Sequence, residues 1–556
     1  MTGPASEDVT VASLLLARRQ DPRPGLRFEE RAWNWSEHVQ ASASRAAWLE
    51  TLRRPGPFHV GVLLDNVPEF SFLLGAAALS DLVVVGLNPT FRGAELAASV
   101  SHTDCQLIVT EARHRPLLEG LELPFGADRI IDIDSEEFGP TLAAFADAPI
   151  PDQERDPDEL MMLIFTSGTS GAPKAVRCTQ RKIGFPGVNL SERFGLAADD
   201  VCYLAMPLFH SNAMMAGWGP ALAAGATMVL RRRFSASGFL PDVRRYGVTY
   251  FNYVGKPLSY ILATEARPDD GDNPLRIAFG NEGADRDVKR FADRFGCTVV
   301  DGFGSTEGGV IVSRTPDTPE GALGRPAPGV QILDPDTMSP CPPARFSPSG
   351  ELLNAEEAIG ELVNTAGAGS FEGYYRDDEA DAERMRRGWY WSGDLAFADE
   401  EGFYYFAGRT IERLRVDGEN FTAAPVERIL MRHPDVVLAA VYAVPATDVG
   451  DEVMAALALV PGARFDPAGF GEFLAAQADL GAKWAPRFVR VSEALPQTET
   501  NKVLKRQLAA ERWTGDDPIW WRPGRQDGYR RLTTADAEAL DAALARNHPR
   551  SLAGAR

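Results

Sequence analysis

The sequence predicts an α/β fold: layered α/β structure up to Arg409, with a small barrel-like subdomain inside it, and a compact α/β segment beyond. Three observations carry this. Short apolar runs alternate with helical patterns through the first three hundred or so residues, the signature of α/β layers. The stretch 316–350 is rich in Pro and Gly and reads as turns and short strands. Around Gly408 the pattern breaks at a charged segment, GRTIERLRVDGEN, and a second strand–helix alternation begins.

The elements follow in order. Strands are expected at 59–65, 82–88, 105–110, 160–165, 227–230 and 275–280, each a short apolar run bounded by turn residues. A helical stretch, GAELAASVSHTD, lies between two of them. The clearest helix is DRDVKRFADRFG. Asp285 can cap it, Val288, Phe291, Ala292 and Phe295 share a face, and Gly296 can end it. Beyond Arg409, VVLAAVYAV, MAALALV, the helix DPAGFGEFLAAQADLG and FVRV make the compact segment. The stretch 201–230 has no Lys, Arg, Asp or Glu and is long enough to cross a bilayer. Pro207, Pro220, His210 and Asn212 interrupt it, so it is expected as buried, broken structure lining a pocket.

The bulk numbers exclude several classes. With 556 residues, 44% of them hydrophobic and 24% charged, the chain has enough apolar mass for a large core. The formal net charge of −21 repels nucleic acid and anionic membrane surfaces. Any phosphate must therefore be held by a local cluster. The five cysteines, Cys105, Cys178, Cys202, Cys297 and Cys341, are scattered without a C-x-x-C, which predicts a reducing, cytoplasmic setting and no zinc site. The first residues do not read as a secretory signal, and no transmembrane segment or N-terminal membrane anchor is expected.

Two glycine-rich clusters sit at strand ends. LIFTSGTSGAPKAV, 163–176, runs from an apolar strand into small hydroxyls, glycines and Lys174. By itself it fits a surface turn or a polyphosphate cradle, in which converging backbone N–H groups and a lysine meet an anion. Its glycine spacing and Pro173 separate it from G-x-x-x-x-G-K-[ST]. DGFGSTEGG follows the strand CTVV; Gly308 comes one residue late for a dinucleotide fingerprint. In α/β proteins ligands gather beyond the carboxyl ends of strands.

TSGTSGAPK, GFGSTEG, WSGDLA followed by GR, and PQTETNK occur in that order. In this combination the chain resembles the adenylate-forming superfamily: acyl-CoA synthetases, luciferase and peptide-synthetase adenylation domains. LNPTFRGAEL, FGSTEGG, GEN at 418–420 and DPIWW make it most similar to the very-long-chain acyl-CoA synthetases, or fatty-acid transport proteins. The resemblance implies a large N-terminal adenylation core, 1–409, and a small mobile C-terminal α+β domain, 410–556, with a catalytic lysine and a C-terminal extension. It implies ATP, Mg²⁺ and coenzyme A. A carboxylate attacks the α-phosphate, then a thiol displaces AMP.

The same resemblance assigns residues. Thr166, Ser167, Gly168, Thr169, Ser170 and Gly171 wrap the β- and γ-phosphates, with Lys174 adding charge. Phe303 packs on adenine, with Asp301 and Gly304 beside it; Thr306 contacts the α-phosphate. Glu307 is the Mg²⁺ ligand, a hard cation preferring carboxylate oxygen. Gly280, Asn281 and Glu282 form the strip along adenine and the acyl chain. Asp394 holds the ribose, Arg409 reaches the ribose or phosphate, and Gly418 lines the pantetheine tunnel. His210 gates the acyl pocket. Lys502 is the catalytic cation, with Lys505 three residues on as its rival.

At the hinge after GR, Ile411 stands where relatives carry Asp or Lys. A β-branched hinge is stiffer. The expected partner is a small-molecule hydrophobic carboxylic acid, a long-chain fatty acid or a bulky polycyclic acid. Transfer of the adenylate to a carrier protein or partner CoA ligase, a homodimer, and a fatty-acid binding or uptake protein stay open beside it.

Overall fold

The computed structural model describes residues 8–547 apart from 168–172, 282, 284, 316, 320, 347–351, 410–412, 417–418, 448–450, 478–479, 482, 499–502 and 525–526. The chain forms two compact units. One comprises Met1–Gly283, Asp287–Gly309 and Ala368–Arg386, the other Ala284–Arg286, Val310–Gly367 and Arg387–Arg556.

Among its described residues the first unit holds two sheets. In one, Ile130–Asp132, Cys105–Thr110, His59–Leu63, Val83–Gly86 and Leu160–Ser167 run parallel, and Pro173–Thr179 folds back antiparallel on the last. His59–Leu63 and Val83–Gly86 are buried at every position, as a parallel sheet covered on both faces requires. Helix Gln180–Phe194 leaves the returning strand. Thr179 caps it by accepting from Lys182 N at 3.2 Å, and Gly195 at φ 58° ends it.

The other sheet has seven strands. Five of them, Thr227–Leu230, Val201–Leu204, Tyr250–Val254, Ile277–Asn281 and Thr298–Gly302, are neighbours in that order and parallel. The uncharged stretch supplies two of these strands, with a π-helix, Ala213–Trp218, and a short helix, Gly219–Ala224, between them. Its apolar character serves the core. Among the described residues no helix is long and apolar enough to cross a membrane. Helix Asp285–Phe295 forms where its pattern predicted; Phe291 and Phe295 are buried against Phe239, and Gly296 at φ 66° follows its end.

In the second unit Val330–Leu333, Gly360–Asn364, Trp389–Ala398 and Tyr404–Arg409 pair antiparallel in the Pro/Gly-rich region and just after it. The C-terminal segment builds a separate five-stranded sheet from Val436–Pro445, Asp451–Leu459, Phe488–Ser492, Ile519–Trp521 and Arg530–Arg531. Residues alternate along Val436–Pro445 between two apolar clusters, one with Val441 and Phe470, the other with Tyr442 and Trp521. Helix Pro467–Ala475 is capped by Asp466, whose carboxylate accepts from Ala468 N at 3.1 Å.

Candidate active site

Strand ends in the first unit bring the predicted residues together. Thr166 lies at the end of Leu160–Ser167, Asn281 ends Ile277–Asn281, and Asp301 lies near the end of Thr298–Gly302. Phe303, Gly304, Thr306 and Glu307 follow at once. The Thr166 hydroxyl donates to Glu307 Oε1 at 3.4 Å, although 141 residues separate the two.

Glu307 is buried and oriented from several sides. Tyr374 OH donates to the same Oε1 at 3.0 Å, and Lys182 Nζ donates to the Glu307 carbonyl at 3.1 Å. Among the described residues both carboxylate hydrogen bonds fall on Oε1. A buried carboxylate held by one oxygen suits a hard divalent cation.

Lys174 is 5% exposed. Its Nζ pairs with Glu383 Oε2 at 2.9 Å and lies 5.5 Å from the centroid of the Tyr374 ring. The ion pair pulls the Glu383 carboxyl below its ordinary range. A buried ammonium at the foot of a glycine loop is the donor a polyphosphate needs.

The loop carrying His210 approaches the same region. Ser211 Oγ and Thr306 Oγ1 are 2.7 Å apart. Asn212 Nδ2 donates to Tyr253 O at 2.9 Å and accepts through Oδ1 from Asn252 Nδ2 at 2.8 Å. Asn281 Nδ2 donates to Gly302 O at 2.8 Å, which ties two strand ends. Gly280 is required by close approach: a Cβ there would sit 2.3 Å from Tyr253 O. Asp301 accepts from Tyr253 OH and from Gly283 N, each at 2.8 Å. His210 is half-buried, its ring centroid 4.4 Å from that of Phe209.

Asp394 belongs to the second unit and is buried there. Ser392 Oγ accepts from its N–H at 3.1 Å, and Glu361 Oε1 accepts from Gly393 N at 2.7 Å. Lys505 Nζ is ion-paired with Glu427 Oε1 at 2.9 Å. Gly168, Thr169, Ser170, Gly171, Glu282, Ile411, Gly418 and Lys502 lie outside the described residues, as do the side chains of Ser167 and Arg409.

The model of the AMP-binding enzyme matches residues 16–375, and that of the AMP-binding enzyme C-terminal domain matches 425–502. The chain belongs to the AMP-binding enzyme family. A medium/long-chain-fatty-acid–CoA ligase, FadD17, of Mycobacterium marinum is 52% identical over 93% of this chain and 99% of its own. The steroid-22-oyl-CoA synthetase of Rhodococcus jostii is 51% identical over 96% and 97%. Human long-chain fatty acid transport protein 5 is 30% identical over 90% and 78%. The fold matches the anthranilate CoA ligase AuaEII in complex with anthranoyl-AMP, with a TM-score of 0.77 at 20% identity over 91% of this chain and 97% of the other.

Sequence reasoning missed Lys182, Ser211, Tyr374 and Glu383. Lys182 reads as an ordinary helix lysine and Glu383 as one acid in an acidic run. Tyr374 follows Gly373 in a segment with no phosphate signature. The only signal for Ser211 was its place beside His210.

Proposed function

We propose that this chain joins a bulky hydrophobic carboxylic acid, either a medium- or long-chain fatty acid or a steroid carboxylic acid, to coenzyme A. The supporting observation is identity above one half, over nearly the whole chain, to ligases of both substrate classes. The chain is an AMP-forming acid–thiol ligase that uses ATP, Mg²⁺ and coenzyme A. A carboxylate oxygen attacks the α-phosphorus and pyrophosphate leaves. The thiolate sulfur then attacks the acyl carbon and AMP leaves.

Bringing one anion onto another requires fixed positive charge and held geometry. Glu307 would hold Mg²⁺, which supplies charge neutralisation at the phosphates. Lys174 and the glycine loop of residues 166–171 hold the β- and γ-phosphates, and Thr306 the α-phosphate. Gly280, Asn281, Glu282, Asp301, Phe303 and Gly304 border the adenine, Asp394 and Arg409 the ribose, and Gly418 the pantetheine. His210 borders the acid. Lys502 bridges the acid and ATP, with Lys505, which pairs with Glu427, as its rival for this task.

In this reading 1–409 is the adenylation core and 410–556 the mobile domain; the C-terminal family match at 425–502 lies inside the latter and supports it. Five cysteines free of disulfides fit a reducing cytoplasm. Ile411 favours a second reading of the last step, in which the adenylate passes to a carrier protein or partner enzyme.

The test is mass spectrometry of the products from purified protein, Mg·ATP and a panel of fatty and steroid acids, with and without coenzyme A. AMP plus an acyl-CoA from one acid class is expected. Acyl-adenylate alone in the presence of coenzyme A would move the thioester step to a partner. Absence of AMP with every acid would overturn the proposal.

A further inference from the structure

Tyr374 joins the two charged groups on which the phosphate end of the site depends. Its side chain is 3% exposed. Its hydroxyl accepts from Arg384 Nε at 3.2 Å and lies 3.0 Å from Glu307 Oε1. An ionised carboxylate only accepts, so the single phenolic proton points at Glu307. The order of donation is Arg384 to Tyr374 to Glu307. The face of the same ring packs against Lys174, a cation–π contact.

The backbone that carries the ring is held from both sides. Tyr374 forms an antiparallel bridge with Val176, Arg177 N donates to Gly373 O at 3.1 Å, and Tyr375 N donates to Ala175 O at 2.8 Å. The Glu372 carboxylate accepts from Thr179 N at 3.1 Å and from its hydroxyl at 2.7 Å. Tyr374 N donates to Asp381 Oδ1 at 2.8 Å. Segment 372–375 is thus latched along Pro173–Thr179, the strand that carries Lys174. A tyrosine needed only for packing has no use for a hydroxyl aimed at a buried carboxylate.

We propose that Tyr374 is a positioning residue for the Mg·ATP site: its hydroxyl fixes Glu307 through Oε1, and its ring face fixes Lys174. This rests on the reading of Glu307 as the Mg²⁺ ligand and Lys174 as a phosphate contact. The hydroxyl acts on the metal-dependent part of nucleotide binding, whereas the ring acts on both parts.

The test compares wild type, Tyr374→Phe and Tyr374→Leu by calorimetric titration with ATP, once in excess Mg²⁺ and once in EDTA. Tyr374→Phe is expected to weaken binding about tenfold in Mg²⁺, the scale of one hydrogen bond to a charged group, and to leave binding in EDTA within about twofold. The Mg²⁺ concentration for half-maximal AMP formation rises in parallel. Tyr374→Leu is expected to weaken binding in both conditions. In a Glu307→Gln background Tyr374→Phe adds nothing. Should Tyr374→Leu fail to fold, Tyr374→Phe decides alone. Wild-type affinity for Tyr374→Phe in Mg²⁺, or an equal loss with and without Mg²⁺, would overturn the positioning role. A wild-type protein that makes AMP while Tyr374→Phe is unchanged defeats only this inference; one that makes no AMP with any acid defeats the functional reading itself.

Discussion

Single residues differ in how far they could be read ahead of the fold. Glu307 was legible because its flanking Gly, Ser and Thr made a motif; the partners that orient it come from positions 166, 182 and 374. His38 shows the opposite case. It sits on helix Trp35–Glu50, fully buried, with Nε2 2.8 Å from Ser71 Oγ; that hydroxyl oxygen accepts from Trp218 Nε1 at 2.9 Å. Burial, helped by the charge of Arg45, pushes its pKa down to about 3. The unfolded chain therefore takes up the proton first, from about pH 6.5 downward. Stability from the neutral ring is present above that pH and is lost as pH falls toward the folded value. His38→Gln should remove a slope of at most about 1.4 kcal/mol per pH unit in that window. Urea midpoints at a series of pH values would measure it; an unchanged acid slope would contradict the assignment.

At the scale of elements, backbone approach decides what a glycine is for. Helix Gln180–Phe194 packs on Gly219–Ala224 so closely that a Cβ on Gly187 would lie 2.8 Å from the Gly219 carbonyl carbon. Backbone on both sides leaves nothing flexible to yield. Gly187→Ala should cost about 1–3 kcal/mol by overpacking. Gly471, within helix Pro467–Ala475, has nothing within 4 Å of that direction. Gly471→Ala should gain about 0.5–1 kcal/mol through helix propensity and lost unfolded-state freedom. Thermal melts of the two variants should move in opposite directions; shifts of the same sign would contradict the contrast. The strands were legible because uniformly apolar runs such as Met161–Ile164 cannot rest in water. Their pairing was not legible, since Val201–Leu204 takes its neighbours from 227–230 and 250–254.

For the whole molecule the prediction concerns the two half-reactions. If Lys502 bridges acid and ATP, Lys502→Ala should lower adenylation by at least about a hundredfold, the scale of a lost positioned charge. Thioester formation from supplied acyl-adenylate and coenzyme A should stay within a few-fold of wild type. Single-turnover assays of each half separate the two, and equal loss in both would remove Lys502 from that role.

The chain by itself determined the α/β class, the order of the motifs and the chemistry they imply. Each of these is local: strand and helix periods span a few residues, and a glycine-rich loop carries its own signature. The tertiary structure alone decided that Tyr374 and Arg384 stand behind Glu307, that Glu383 pairs with Lys174, and that Ser211 meets Thr306. Tyrosine, arginine, glutamate and serine are common surface and core residues, so their type and spacing carry no sign of function. Only the fold brings the Tyr374 hydroxyl within about 3 Å of the buried Glu307 carboxylate, whose burial requires a donor, and Arg384 within reach of that hydroxyl.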